Sequence, residues 1–281
     1  MPRYTRYDQP SVREIITTQD NITYILGTTI RGDNDMLYLG NNYEYCIIAT
    51  IHHDKRNTTA SLNYVHYADV CCVYNKSKRS ISTKDTILTI ISIIKHKYPH
   101  IESMTLYDNS FRQCISGHVV NLYHLHYLLY GKTWFMDIFD AVMVNQGDQQ
   151  EFEKADHDFQ LYKNQTSWEY FYEVIARCFY VENITSDEMK QIYITTTTWQ
   201  DFSMKVRDKI GAAEFNVWVA YWIFPFFYQR AQFSFYFPTM YIISFSSPKL
   251  QQSPDITCRE YTLNSLVRKT RKHMRSRRGT L

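Results

Sequence analysis

Four short segments rich in β-branched and aromatic residues fill the first seventy-odd positions, and clusters of turn-forming residues separate them. They are residues 22–26, 36–39, 43–51 and 60–74, with Asp33-Asn34-Asp35 and Gly40-Asn41-Asn42 bracketing the second. Short runs with this punctuation predict an antiparallel meander. The period then changes. Ser82 and Asp85 form a capping-box-like start, and Ile87, Ile90, Ile91 and Ile94 recur at helical spacing until Pro99 stops the run. Residues 101–107 read as a short strand, and residues 119–130 as a strand passing into a helix. Gly131 suits a left-handed position at that helix end, and Thr133 can cap the next helix, which holds Trp134, Phe135, Ile138 and Phe139.

Beyond Val144 the pattern is mainly helical. Residues 151–163 predict an acidic helix. Trp168, Phe171, Tyr172, Ile175 and Phe179 form an apolar stripe after Thr166 and Ser167, and residues 199–210 predict a helix behind a threonine run. Residues 232–246 read as strand and 251–257 as loop, while 259–276 could form a last helix, basic in its C-terminal half. The fold class expected is α+β: an antiparallel sheet-rich N-terminal half with packed helices, a helix-rich C-terminal half and a basic tail. The division expected is a sheet domain over 1–144, a mainly helical region over 149–267 packed on it, and a tail over 268–281. The join would fall at residues 145–148, where Gln, Gly and Asp cluster.

Composition narrows the function classes. Gly is scarce, at 8 residues, which weighs against folds that wrap backbone around phosphates; Tyr, at 24, supplies apolar area with a polar tip. The six cysteines, Cys46, Cys71, Cys72, Cys114, Cys178 and Cys258, include no Cys-x-x-Cys pair, and no apolar signal segment opens the chain. The expectation is reduced thiols in a protein that is intracellular at synthesis. Residues 211–227 are apolar except for Glu214 and Asn216. That length suits a buried core helix, with Trp218 and Trp222 on one face against the stripe over 168–179, better than a transmembrane span. Membrane-surface contact or a protein partner at this aromatic stretch is the alternative.

Charge is the most polarised feature. Seven of the eleven residues 268–278 are basic: Arg268, Lys269, Arg271, Lys272, Arg275, Arg277 and Arg278. The whole chain is +3, so without those seven it would carry −4. Such a tail answers to a polyanion: nucleic acid, an anionic membrane face or an acidic protein surface.

The other constellations have plainer readings. Gly131-Lys132-Thr133 lacks the upstream glycine of a phosphate-binding loop, since position 126 is His126. His124 and His126 would share a face only on a strand, and no further ligand is spaced to complete a metal site. His52-His53-Asp54 reads as a polar hairpin end in which a His–Asp pair is conceivable, and Arg31-Gly32-Asp33 as a turn. Cys114 and His118 could form a nucleophile pair only if folding joined them. No catalytic residue, cofactor or metal is expected.

Two resemblances add to this. Leu106-Tyr107-Asp108-Asn109-Ser110 followed by Tyr127 to Phe135, with Gly131-Lys132-Thr133-Trp134-Phe135 at its end, resembles a pattern in uncharacterised proteins of large nucleo-cytoplasmic DNA viruses; Thr270-Arg271-Lys272 looks like many of their tails. The match covers about 40 residues and implies a viral origin without an activity. The order of elements also looks like a GNAT-type acetyltransferase, whose pyrophosphate loop would fall at residues 76–83. Here Ser77-Lys78-Arg79-Ser80-Ile81-Ser82 has none of that family's glycines. The leading expectation is a non-enzymatic interaction or virion-associated protein with a polyanion-binding tail. A divergent acyltransferase is the first alternative, and a peripheral membrane or assembly protein the second.

Overall fold

The computed structural model describes residues 12–41, 44–54, 57–65, 72–75, 81–108, 111–113, 119–176, 183–223, 240–251 and 253–260. The fold is α+β, as the sequence predicts. The chain divides into two compact units, one made of residues 1–106 and 244–281, the other of residues 107–243.

The first unit opens with five consecutive strands, each antiparallel to the last: β1 (Val12–Thr18), β2 (Ile22–Arg31), β3 (Asn34–Gly40), β4 (Tyr45–His53) and β5 (Thr58–Val65). Four of these answer to the four expected segments; β1 is an addition that the sequence reading missed. Gly32 makes the β2–β3 turn at φ 58°, so Arg31-Gly32-Asp33 is the hairpin bend expected. A Cβ at Gly40 would run into the Glu44 carbonyl, which is why only glycine fits where β3 hands over to β4. β6 (Tyr74–Asn75) then lies against the start of β2.

Helix α1 (Thr83–Lys97) begins at the expected capping box, with Ser82 and Asp85 bonded reciprocally, and Ile87, Ile90, Ile91 and Ile94 are fully buried. Its position on the sheet is fixed by contacts to alternate strand residues. Thr86 and Thr89 lie at Tyr24, Lys97 pairs with Glu14 at 2.5 Å, and the Tyr98 hydroxyl donates to Asp35 at 2.8 Å. Tyr24 is pushed up to about 12, chiefly by burial. β7 (Ser103–Tyr107) returns parallel to β5, so β5–α1–β7 is a crossover within this unit.

The second unit starts with a small hairpin, β8 (Phe111–Gln113) and β9 (Val119–Asn121), which runs into α2 (Leu122–Tyr130). Gly131 follows at φ 70°, as expected. Thr133 is the N-cap residue of α3 (Trp134–Phe139), but its side chain makes no capping bond and is fully buried. β10 (Val142–Met143) follows. Residues 145–148, read from sequence as a join, form the start of α4 (Gln146–Gln165) inside this unit. Then come α5 (Trp168–Ala176), α6 (Ser186–Thr195), α7 (Trp199–Ile210) and α8 (Ala212–Trp218), which passes into a π-helical stretch, Val219–Ile223. β11 (Met240–Ser244) pairs antiparallel with β10.

An aromatic cluster forms the core of this unit. Phe171, Tyr193, Trp199 and Phe202 have ring centroids within 4.9–6.0 Å of one another, and Phe159 stacks on Trp199. Trp218 is 1% exposed, as a core position requires, and meets Phe202 of α7 and Phe215 of α8. Phe202 in turn meets Phe171 of α5, so the expected packing of Trp218 towards that stripe runs through α7. The side chain of Trp222 lies outside the described residues.

The chain re-enters the first unit through a 3-10 turn, Pro248–Leu250, and closes with β12 (Ile256–Glu260) on β1. Thr257 therefore sits in a strand where a loop was expected, and Arg259 in a strand where a helix was expected. Pairing along β1 supplies the β-partner that local periodicity could not show. The strand order in this unit is β7-β5-β4-β3-β2-β1-β12. One expectation about redox state is corrected here. Cys46, buried in β4, is disulfide-bonded, with its partner outside the described residues, while Cys72 and Cys258 are free.

Candidate functional site

The ends of β3, β4 and β5 carry the densest set of interacting polar side chains in the first unit. Residues directly opposite in an antiparallel pair share a face, so the register Asn34↔His52↔Thr59 and Thr50↔Ser61 places these five on one side of the sheet. Asp35 and His53, one residue on, take the other side, with α1.

On the α1 side, Asp35 is a hub. Its Oδ2 lies 2.9 Å from His53 Nε2 and accepts from the Tyr98 hydroxyl. Burial, then the bonded Asp35, pushes the Tyr98 phenol well above its ordinary value. A His–carboxylate pair exists here across strands, between His53 and Asp35, and was not read from the sequence, which offered only the neighbouring Asp54. A His–Asp pair of neighbouring residues cannot form on a strand, because successive side chains point to opposite faces.

On the opposite side the side chains form a continuous relay. His52 Nδ1 lies 2.9 Å from Asn34 Oδ1, and His52 Nε2 lies 2.9 Å from Ser61 Oγ. Ser61 Oγ is 2.8 Å from Asn63 Oδ1, and the Asn63 amide donates to Thr50 Oγ1 at 2.8 Å. Asn34, His52 and Ser61 are half-buried; Asn63 is exposed. Beside them Asp33, Asn34, His52, His53 and Asp54 line a cleft of about 320 Å³. The sequence reading singled out His52 and His53 but missed Asn34 and Ser61, which lie 18 and 9 residues away and meet His52 only through strand register.

The remaining sequence candidates fall elsewhere. His124 and His126 are both on α2, where they diverge. His124 is buried and pushed down to about 3 by desolvation, and His126 bonds Asp137 at 3.1 Å. No group of metal-binding side chains occurs among the described residues. Lys132 is exposed and Gly131 ends a helix as expected, while Thr133 stands at the N-cap of α3 without the side-chain bond expected of it. Asp108 and Thr133 both lie near Tyr241 in the second unit. Both are buried, and both act on the buried Tyr241, whose phenol is pushed up mainly by desolvation. Cys114, His118 and Ser110 lie outside the described residues. So do Arg268, Lys269, Arg271, Lys272, Arg275, Arg277 and Arg278 of the tail.

Of the expected pyrophosphate loop, residues 76–80 lie outside the described residues, and its end forms the start of α1. The Asp85 carboxylate accepts from both the Ser82 amide, at 3.0 Å, and the Ser82 hydroxyl, at 2.9 Å. An anion at a helix N-terminus binds free amides and the positive end of the dipole. Here the Ser82 and Asp85 amides are both taken up by the capping box. Comparison with known protein families, characterised proteins and solved structures finds no match for this chain.

Proposed function

We propose that this chain is an interaction protein of a large DNA virus, associated with the virion or its nucleic acid, and that its cationic tail contacts nucleic acid or another polyanion. The observation that carries this reading is charge segregation: seven bases within eleven residues, attached to a body of net −4. Lys and Arg that neutralise phosphates release condensed counterions, which gives affinity without sequence preference. The Asp85 carboxylate at the α1 N-terminus further supports binding over coenzyme-dependent catalysis. The test is retention on duplex DNA with and without residues 268–281. Seven phosphate contacts give a log–log salt slope of roughly −6, and the truncated chain should elute at low salt. Equal retention of the two would overturn the reading.

A divergent GNAT-like acyltransferase is the second reading, and one observation favours it. β5 and β7 are paired in parallel over three residues only, Ala60↔Met104 to Leu62↔Leu106, although β5 continues to Val65. A register shift against β4 falls at the same point, between Ile48 and Ala49. Acetyl-coenzyme A separates the readings. A ligand at a hundred times its Kd stabilises by about 2.7 kcal/mol, so a coenzyme site would raise the Tm clearly and an occupied helix terminus would not.

A further inference from the structure

We propose that Ser61 is a nucleophile activated by His52, with Asn34 as the residue that positions the imidazole, and that it accepts acyl groups from esters of neutral or cationic alcohols. This goes beyond the polyanion reading and does not depend on it.

The three groups stand in the order that nucleophilic catalysis needs: hydroxyl, imidazole and orienting amide, each link 2.9 Å. Protons can run along the relay in either direction. In one, His52 Nε2–H donates to Ser61 Oγ, Ser61 donates to Asn63 Oδ1, and the Asn34 amide is turned to donate to Nδ1. In the other, Nδ1–H donates to Asn34 Oδ1, so Nε2 is an acceptor and the Ser61 hydroxyl donates to it. The second order needs only the Asn63 amide turned, so that its N–H donates to Ser61 Oγ while the Thr50 hydroxyl donates to Asn63 Oδ1. Amide and tautomer choices of this kind are free as long as every group keeps a partner, and both orders satisfy that.

The second order is the reactive one. Ser61 Oγ attacks the ester carbonyl carbon as its proton passes to His52 Nε2. The imidazolium then donates to Asn34 Oδ1 through Nδ1, and it returns its other proton to the leaving alcohol as the carbonyl–oxygen bond breaks. Water cleaves the acyl-Ser61 ester by the same transfer in reverse. The Asn63 N–H holds the Ser61 Oγ in place at 2.8 Å in this order. Asn34 resembles in role the orienting member of any nucleophile–base–orienter set, which is recognised by geometry and not by chain order. Charge beside the imidazole points to the substrate class. Asp33 and Asp54 line the open cleft that His52 and Asn34 share, which disfavours anionic donors such as acyl-coenzyme A and favours neutral or cationic alcohol moieties.

The test is phosphonylation of the full-length chain by a fluorophosphonate, which Ser Oγ attacks with loss of fluoride as the proton goes to the base. The expected result is a single adduct mapped to Ser61, absent after unfolding in urea and absent in Ser61→Ala. His52→Gln should slow labelling about 100-fold or more, the scale of a lost general base. Asn34→Ala should slow it roughly 10-fold, and Asn34→Asp, which keeps the acceptor for Nδ1–H, should restore it. p-Nitrophenyl acetate hydrolysis should fall with the labelling rate in each variant. An unlabelled Ser61 in the folded protein, or labelling that survives unfolding, overturns the proposal. So does an equal rate in a folded His52→Gln variant.

Discussion

Lys163 on α4 should make the stability of this protein rise between neutral and mildly alkaline pH. The side chain is 4% exposed, and its ammonium donates to the Tyr193 carbonyl at 3.0 Å and the Thr196 carbonyl at 3.2 Å. It also sits 3.7 Å from the centre of the Tyr193 ring. Desolvation outweighs the attraction of Asp201 and pushes Lys163 down to about 8 from 10.5. A basic group depressed on folding stabilises the folded state fully above its unfolded pKa and loses that contribution as pH falls through the folded one. The unfolded chain binds the extra proton in this window, so stability rises with pH. The shift corresponds to about 3 kcal/mol in total, of which linkage places about 2 kcal/mol between pH 7 and 9.5. Buried tyrosines such as Tyr193 are raised on folding and have the opposite sign, but they act only as pH climbs past about 10, their unfolded value. Urea unfolding of the parent and of Lys163→Met across pH 7 to 9.5 isolates the lysine, because all other titrations cancel. Met fills the stem's volume, and the one proton of the Thr196 hydroxyl is shared between the Ile192 carbonyl at 2.8 Å and the Tyr193 carbonyl at 3.1 Å. Relative to its value at pH 7, the stability difference between variant and parent should move by about 2 kcal/mol in the parent's favour by pH 9.5. Parallel pH profiles would show that the ammonium is not desolvated and would refute the reasoning.

Three further perturbations test other parts of the fold. Trp218→Ala should cost about 3–5 kcal/mol in chemical denaturation, since it empties a site packed against Phe202 and Phe215; a loss below about 1 kcal/mol would contradict its core position. Reduction should lower stability by about 2–4 kcal/mol through Cys46, and alkylation without reductant should mark Cys72 and Cys258 but spare Cys46; identical melting with and without dithiothreitol would count against the disulfide. Asp35→Ala strands both the Tyr98 hydroxyl and His53 and should cost about 2 kcal/mol, read by the same denaturation assay; Asp35→Asn should recover part of it through the Tyr98 bond, and equal stability of all three proteins would sink the hub.

Legibility followed the range of the interactions involved. The start of helix α1 could be read to the residue, because a capping box acts over three positions and its isoleucine face over two turns. Helix α7 matched its expected limits for the same reason: Thr198 caps it locally and Gly211 ends it. β12 was misread as part loop and part helix, since Thr257 and Arg259 become strand only by lying opposite Thr17 and Ile15 of β1. The π-helical stretch Val219–Ile223 likewise changes the phase of a run that looked uniformly α-helical. At the candidate site, the two adjacent histidines were visible but their partners were not. Asn34, Asp35 and Ser61 reach them across neighbouring strands, and a shift of one residue in register would exchange every partner.

The sequence by itself determined what depends on neighbours along the chain: the turns of the meander, the helix caps, the apolar stripes and the charge of the tail. Only the tertiary structure decided which face of the sheet receives α1, and the strand register by which His53 meets Asp35 while His52 meets Ser61. It also decided that Lys163 is desolvated among aromatic rings and that Cys46 is a half-cystine. The reason is physical: desolvation and cross-strand bonding depend on distance in space, and residues 9 to 83 positions apart along the chain acquire that distance only when the fold closes.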